Sequence, residues 1–362
     1  MSGIKTQVVV PGPVIIGAGL AGLSCAIELA PAPCLVVAAG RIGTGTSTGW
    51  AQGGMAAAIG PDDSPELHAA DTIAAGAGLC EEPVVRWITA AAPAAIEWLA
   101  ALGAGWDRDQ DGSWKRGLEG AHSRRRIVHA SGDDTGAELL RATAEAAREL
   151  ASISIWERVH ARRLVTSRGR VVGADVDTAE GTIRLLCSAV VLATGGIGGL
   201  FTHTTNPLTS YGQGMAMAYR AGAVLRDVEL VQFHPTALNL DVDPLPLVSE
   251  AVRGEGAILV NELGERVLDN PLLARDVVAR AEWTQLQAGH SVYLDVRDAP
   301  GARFAEIFPS IHAKACAAGL NPVTDLLPVT PAAHYHMGGV LVDRRGQSTV
   351  PGLFAIGEVA ST

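Results

Sequence analysis

A G-x-G-x-x-G turn lies within the first two dozen residues. Val14-Ile15-Ile16 leads into Gly17-Ala18-Gly19-Leu20-Ala21-Gly22, and an alanine-rich apolar run from Leu23 to Ala30 follows. Few folds are open to a hydrophobic strand that enters such a turn and leaves it as a helix. Gly17 permits the tight turn, Gly19 lets a pyrophosphate approach the backbone, and Gly22 lets helix and strand pack closely. The helix N-terminus then offers free N–H groups and a partial positive charge to phosphates. The motif alone is a weak signal, and its place after a hydrophobic strand gives it weight. It predicts a dinucleotide, held through residues 17–22 at the edge of a parallel α/β sheet.

Which dinucleotide follows from the second strand, Cys34 to Ala38. A nicotinamide fold would end this strand on an acid that binds the ribose 2′-hydroxyl. Here the residues are Ala38, Ala39 and Gly40, which favours FAD held by backbone groups, with Gly40 at the contact. The stretch Ser47-Thr48-Gly49-Trp50-Ala51-Gln52-Gly53-Gly54 is dense in small residues and hydroxyls, as expected where backbone approaches a flat ligand. Two further buried strands end in glycine turns, Val190 to Leu192 before Thr194-Gly195 and Leu353 to Ile356 before Gly357-Glu358. Together they predict one parallel sheet with a ligand at its carboxyl edge.

Between these strands, Glu66 to Ala75 and Glu82 to Leu102 read as helical, with Pro93 expected to kink or divide the second. Trp87 and Trp98 read as core. Ile153 to Ala189 alternates with period two and carries turn glycines, which predicts a β-meander. A helix is expected from Asp134-Thr135-Gly136 through Glu149, with Asp134 or Thr135 as its cap. Residues 229–334 differ in character, with short segments, prolines and many charged side chains. The organisation expected is an FAD-binding domain over 1–227, an inserted α+β capping domain over 228–335, and a return segment over 336–362. The fold class is thus α/β, a Rossmann-like FAD-binding domain with parallel sheet and β-meander plus the inserted cap.

Composition narrows the partners. The chain has 362 residues and a formal net charge of −10, which argues against nucleic acid or anionic membrane surfaces. Its five cysteines, Cys25, Cys34, Cys80, Cys187 and Cys316, form no C-x-x-C pair, so zinc sites and disulfide scaffolds are not expected and no metal site is assigned. No secretory leader is apparent, and no apolar run reaches the ~18–20 residues needed to cross a bilayer. The expectation is a cytoplasmic protein.

The stretches "GAGLAGLSCA", "STGWAQGGMAA", "EGAHSRRRIVHA", "ATGGIGGL", "YGQGMAMAYRAG", "QFHPTAL", "SEAVRGEGAIL", "ARDVVARA", "PAAHYHMGGV" and "LFAIGEVAST" occur in that order. On these, essentially the whole chain resembles the flavoproteins of the fumarate reductase and succinate dehydrogenase superfamily, and within it the branch that oxidises L-aspartate. In membrane-bound members a histidine five residues before the Gln-Gly-Gly motif joins the flavin covalently. The matching residue is Ser47, so the resemblance implies non-covalent FAD. It also implies that His234 and His334 meet substrate carboxylates with Ser249 close by, and that Glu119 orients the α-amine. Arg275 would handle a proton, with Glu250 and Arg253 as the chain that resupplies it, since an arginine alone is a poor acid. Gln213 departs from the aspartate common at its position, and Glu358 would contact the cofactor.

The reaction implied is oxidation of L-aspartate to iminoaspartate, with oxygen or fumarate as acceptor, the first step of de novo NAD biosynthesis. Quinolinate synthase would be a functional partner, because iminoaspartate is unstable. A soluble fumarate reductase is the rival reading. The resemblance further implies a helix, a substrate arginine and a C-terminal helical domain beyond Thr362. On that comparison the chain is expected to be truncated and to bind FAD weakly or turn over poorly; a flavoprotein fragment without catalysis is the third reading.

Overall fold

The computed structural model describes Ile4 and residues 6–362. Five parallel strands run side by side in the order Leu353–Ala355, Val190–Leu192, Val14–Ile16, Cys34–Ala38, Ile153–Glu157. Val14–Ile16, Cys34–Ala38 and Val190–Leu192 are buried at every residue, the mark of a parallel sheet covered on both faces. On one face the Leu20–Leu29 and Thr135–Glu149 helices pack through Leu23, Ala26, Leu140 and Ala144 onto Ile15, Val36 and Val191. The other face meets a four-stranded sheet through Val14, Ile16, Leu35, Val37 and Leu192 against Val171, Val176 and Leu185.

That second sheet is the expected meander with one difference. His160–Ser167, Arg170–Thr178 and Gly181–Leu186 pair antiparallel, and Thr6–Val9 joins the edge in parallel. Ile153–Glu157 instead pairs parallel with Cys34–Ala38, so it belongs to the nucleotide sheet. Period-two alternation reports a half-buried strand and not which sheet owns it. The preceding Thr135–Glu149 helix makes this segment the end of a crossover, and a crossover returns in parallel.

The Glu82–Ala101 segment is one helix, with Pro93 inside it. Its first half packs on the Pro65–Ala75 helix, and its second half buries Ile96 and Leu99 beside Trp106, whose indole N–H donates to the Ile96 carbonyl at 3.2 Å. Packing on both sides of the proline outweighs the one missing helical hydrogen bond. Trp98 leans on this core, but Trp87 lies 46% exposed, against expectation. The expectation that no run is long enough for a bilayer also meets an exception here. By length and a mean hydropathy of 1.2 this helix qualifies, and 17% of that stretch is buried within the fold.

The remaining large unit is an antiparallel sheet in the order Val231–Leu238, Leu327–His336, Val292–Asp295, Ile258–Asn261. The Arg275–Gln287 and Pro309–Ala317 helices cover it through Val278 and Ile311, around a core of Leu238, Val252, Leu294, Phe304 and Val329. That core is separate from the one under the nucleotide sheet. Asp133, on the loop before the Thr135–Glu149 helix, accepts the Ser310 and Ile311 amides at 3.0 and 2.8 Å and clasps the two units together.

Candidate active site

At the carboxyl end of Val14–Ile16 the chain turns through Gly17 at φ +116°, where a Cβ would lie 2.1 Å from the Ala193 carbonyl oxygen. A Cβ on Gly22 would lie 2.0 Å from the Gly17 oxygen. Only glycine fits either place, and the Leu20–Leu29 helix therefore starts directly at the sheet edge. Thr48 steadies this start, because its Oγ1 accepts the Leu20 amide at 3.1 Å. Thr48 belongs to the short Ser47–Trp50 helix, which Thr46 caps and whose Ala51 carbonyl accepts the Gly136 amide at 2.9 Å. Gly19 and Leu20 thus abut Thr48 of the 47–54 stretch directly.

Several polar groups along this edge are buried without partners. Gln52 is 2% exposed with a free Oε1, and Thr194 Oγ1, just before Gly195, is likewise unpaired. The Gln52 carbonyl oxygen can accept from a flavin ring N–H, the Thr194 hydroxyl can donate to a cofactor oxygen, and the helix N-terminus beside the glycine turn suits a pyrophosphate, so the residues present fit FAD. Glu358 accepts the His336 amide at 2.8 Å, and burial raises its pKa. Gly40 lies exposed at the end of its strand, and Trp50 is 43% exposed. Gln213 opens the Gln213–Arg220 helix with both amide ends engaged, donating to the Ala161 carbonyl at 2.6 Å and accepting from Tyr211 Oη at 2.9 Å.

The residues assigned to substrate and proton handling come together on the other side of the Ser47–Gly54 stretch. Arg275 opens its helix, and its Nε donates to Glu250 Oε2 at 2.5 Å. Its NH1 donates to Gln232 Oε1 at 2.9 Å, and its NH2 lies 3.7 Å from Glu119 Oε2. Arg253 NH2 lies 3.1 Å from the other oxygen of Glu250, which also accepts the Gly120 amide. Burial alone would raise Glu250, but Arg275 and Arg253 outweigh it and hold the carboxyl below its ordinary pKa. Burial lowers the pKa of Arg253.

Glu119 behaves in the opposite way. Burial pushes its carboxyl up to about 7, opposed by Arg275 and reinforced by Glu250. Its Oε1 has no partner and would lie 3.3 Å from a Cβ on Gly53, so this acid borders the cofactor stretch. His234 and His334 sit edge to face with ring centres 5.0 Å apart. Burial, then the field of Arg275, holds His234 well below its ordinary pKa and His334 at about 3, so both are neutral. The Thr236 amide donates to His234 Nδ1 at 3.2 Å, which leaves Nε2–H as the free donor. Thr205 Oγ1 meets His334 Nδ1 at 2.8 Å. Ser249 is buried, with its Oγ accepting the Ala251 amide at 3.3 Å.

A cavity of about 1550 Å³ opens onto Glu119, Gln232, Glu250 and Arg275. His234, His334 and Ser249 lie outside its lining; Asn206 joins the His334 strand to the cofactor stretch, since its Nδ2 donates to the His334 carbonyl at 2.6 Å and its Oδ1 accepts from Ser47 at 3.4 Å.

Two features escaped sequence reasoning. Gln232 stands in the "QFHPTAL" stretch, yet nothing about a glutamine beside a phenylalanine marks it as an arginine's partner. The basic run Arg124 to Arg126 divides: Arg124 and Arg125 form exposed pairs, but Arg126 is fully buried. Arg126 holds Asp63 through two bonds of 2.8 Å, Asp71 at 2.5 Å, and His122 Nδ1 at 3.1 Å. This tethers the Glu119 loop to the Pro65–Ala75 helix, on which Asp71 lies.

The fold and site define an FAD-binding flavoprotein, and the profile of the FAD binding domain family matches residues 13–362. Among solved structures, the flavoprotein of E. coli quinol fumarate reductase superposes with a TM-score of 0.92 at 31% identity, covering 99% of this chain and 66% of that one. Sdh1 of Mycobacterium smegmatis gives 0.81 at 33% identity, covering 98% and 64%. Closer in sequence is the L-aspartate oxidase of Mesorhizobium japonicum, 56% identical over 97% of this chain and 69% of its own length. That of Agrobacterium fabrum is 51% identical over 96% and 68%. The chain belongs to the L-aspartate oxidase family.

Proposed function

We propose that the chain oxidises L-aspartate to iminoaspartate with non-covalent FAD and passes the electrons to oxygen or fumarate. This is the entry step of de novo NAD synthesis, in the cytoplasm, with quinolinate synthase as the functional consumer of the product. The observation that carries the reading is the arrangement around Arg275. One cation is fixed between Gln232 and Glu250, two neutral histidine donors stand nearby, and a carboxyl with one free oxygen faces the cofactor stretch. A dicarboxylate with an α-ammonium answers each element. The carboxylates take the Arg275, His234 and His334 donors, with Ser249 close by, and the ammonium takes Glu119. Monocarboxylates are disfavoured, because they would leave buried donors unpaired.

Bound FAD would accept the hydride from Cα, and the residues to hold it are those of 17–22, Gly40, 47–54, Thr194-Gly195, Gln213 and Glu358. The protein's own part is orientation and proton handling. Glu119, poised near neutrality, receives the ammonium proton, and Arg275 exchanges protons with Glu250 and Arg253. A soluble fumarate reductase is the second reading, favoured by the 0.92 superposition. Anaerobic titration separates them. Aspartate should bleach the flavin absorbance and fumarate restore it. A flavin that succinate bleaches and aspartate does not would overturn the oxidase reading.

A further inference from the structure

Glu282 is fully buried, and neither carboxyl oxygen has a hydrogen-bond partner. It lies seven residues after Arg275 on the same helix, two turns further along one stripe. Arg253 presents a matching deficit. Its NH1 donates to the Pro271 carbonyl, but Nε and NH2 lack hydrogen bonds although NH2 touches Glu250. Arg253 is the one charged group whose field reaches Glu282 among the described residues, and burial raises the carboxyl well above its ordinary pKa despite that field. The other charged residues of the helix beyond Arg275, Asp276 and Arg280, pair with each other at the exposed surface at 2.7 Å. A buried acid in the field of a guanidinium that keeps two nitrogens without hydrogen bonds is most cheaply satisfied as a neutral acid sharing an internal water with it.

We propose that Glu282 is the proton store at the inner end of the Arg275–Glu250–Arg253 chain, exchanging with Arg253 through one internal water and refilling Arg275 after it protonates the acceptor fumarate. This rests on the function proposed above. Fumarate becomes succinate by gaining a hydride at one alkene carbon and a proton at the other. The hydride carries the electron pair taken from aspartate. The proton leaves an N–H bond of Arg275 and forms a C–H bond. Arg275 is recharged through Glu250 and Arg253, the O–H bond of Glu282 is the last to break, and its carboxylate remains beside the Arg253 cation. The ammonium proton released by the next aspartate restores it. Oxygen takes the hydride equivalent and one proton to give hydrogen peroxide, and the proton released by the aspartate ammonium through Glu119 and solvent meets that need without Arg275, so the store serves fumarate alone.

The test uses flavin-loaded enzyme with aspartate and either acceptor at steady state. Glu282→Gln should lower fumarate-coupled turnover at least tenfold and leave oxygen-coupled turnover within twofold. Glu282→Met, a shape suited to a dry site, should do the same if the amide is poorly tolerated. The infrared carbonyl band of a protonated carboxylic acid at pH 8 should be present in the parent and reduced in both variants. Equal losses with both acceptors, or no loss, would show a purely structural residue, as would an unchanged infrared band. Aspartate failing to reduce the parent's flavin would sink the functional reading and this inference with it. A competent parent with unselective variants would sink this inference alone.

Discussion

Replacing Glu119 by glutamine tests the electrostatics of the site without invoking catalysis. Burial moves this carboxyl from an ordinary 4.5 to about 7. A difference of about 2.5 corresponds to about 3 kcal/mol at 1.36 kcal/mol per pH unit. The folded pKa is raised, so Glu119 favours folding fully below about pH 4.5, and that contribution is lost as pH rises through about 7. Glutamine has nothing to lose. The stability of the variant relative to the parent should therefore grow by about 2–3 kcal/mol between pH 5 and pH 8.5. Unfolding entropies near 2.1 cal/mol/K per residue turn this into a gap in melting temperature that widens by about 3–4 °C. Paired thermal melts at the two pH values read it directly, and taking the difference cancels every other titrating group. A gap that stays constant would refute the reasoning. A gap that moves the other way would mean Arg275, 3.7 Å away, keeps Glu119 ionised at all pH values. On the proposed function the same variant loses a charge-assisted bond to the ammonium, and KM for aspartate should rise about 10–100-fold while fumarate binding is unchanged.

Arg275→Leu leaves Glu250 with Arg253 alone, and aspartate turnover under air should fall at least about a thousandfold with flavin content unchanged, checked by oxygen uptake and visible absorbance. Arg126→Met removes the guanidinium from the buried Asp63 carboxylate and from the partly exposed Asp71, and about 3 kcal/mol of stability should go, read as a lower denaturation midpoint. Gly22→Ala forces a Cβ against the Gly17 carbonyl, so the purified protein should carry far less flavin than the parent, measured from its absorbance ratio. Because His234 and His334 are already neutral, KM for aspartate should be flat between pH 6 and 8 once Glu119, which titrates in that window, is replaced by glutamine, as a pH profile of that variant would show.

The nucleotide sheet was readable because its signals are local: continuous apolar runs, each ending in glycine. The errors came where a non-local term decides. Trp87 carries an apolar ring, but the face it occupies turns to solvent. Pro93 offered either a kink or a division of the helix, and contacts from other segments keep it one helix. The charged residues at the site were legible only through ordered motifs; taken singly, Arg275 is one more arginine on an amphipathic helix. Gln232, Arg126 and Glu282 were not legible at all. Their surroundings come from segments tens of residues away, and no spacing in the chain encodes which acid will meet which base in the interior.

Asn206 touches both Ser47 and the backbone of His334, so the wall expected to hold the flavin and the strand that presents a donor to the diacid share one amide hinge. Whatever stiffens one wall stiffens the other. A seated diacid should therefore raise the affinity for flavin, and by the same free energy with which the flavin tightens the diacid, because coupling between two binding equilibria is reciprocal.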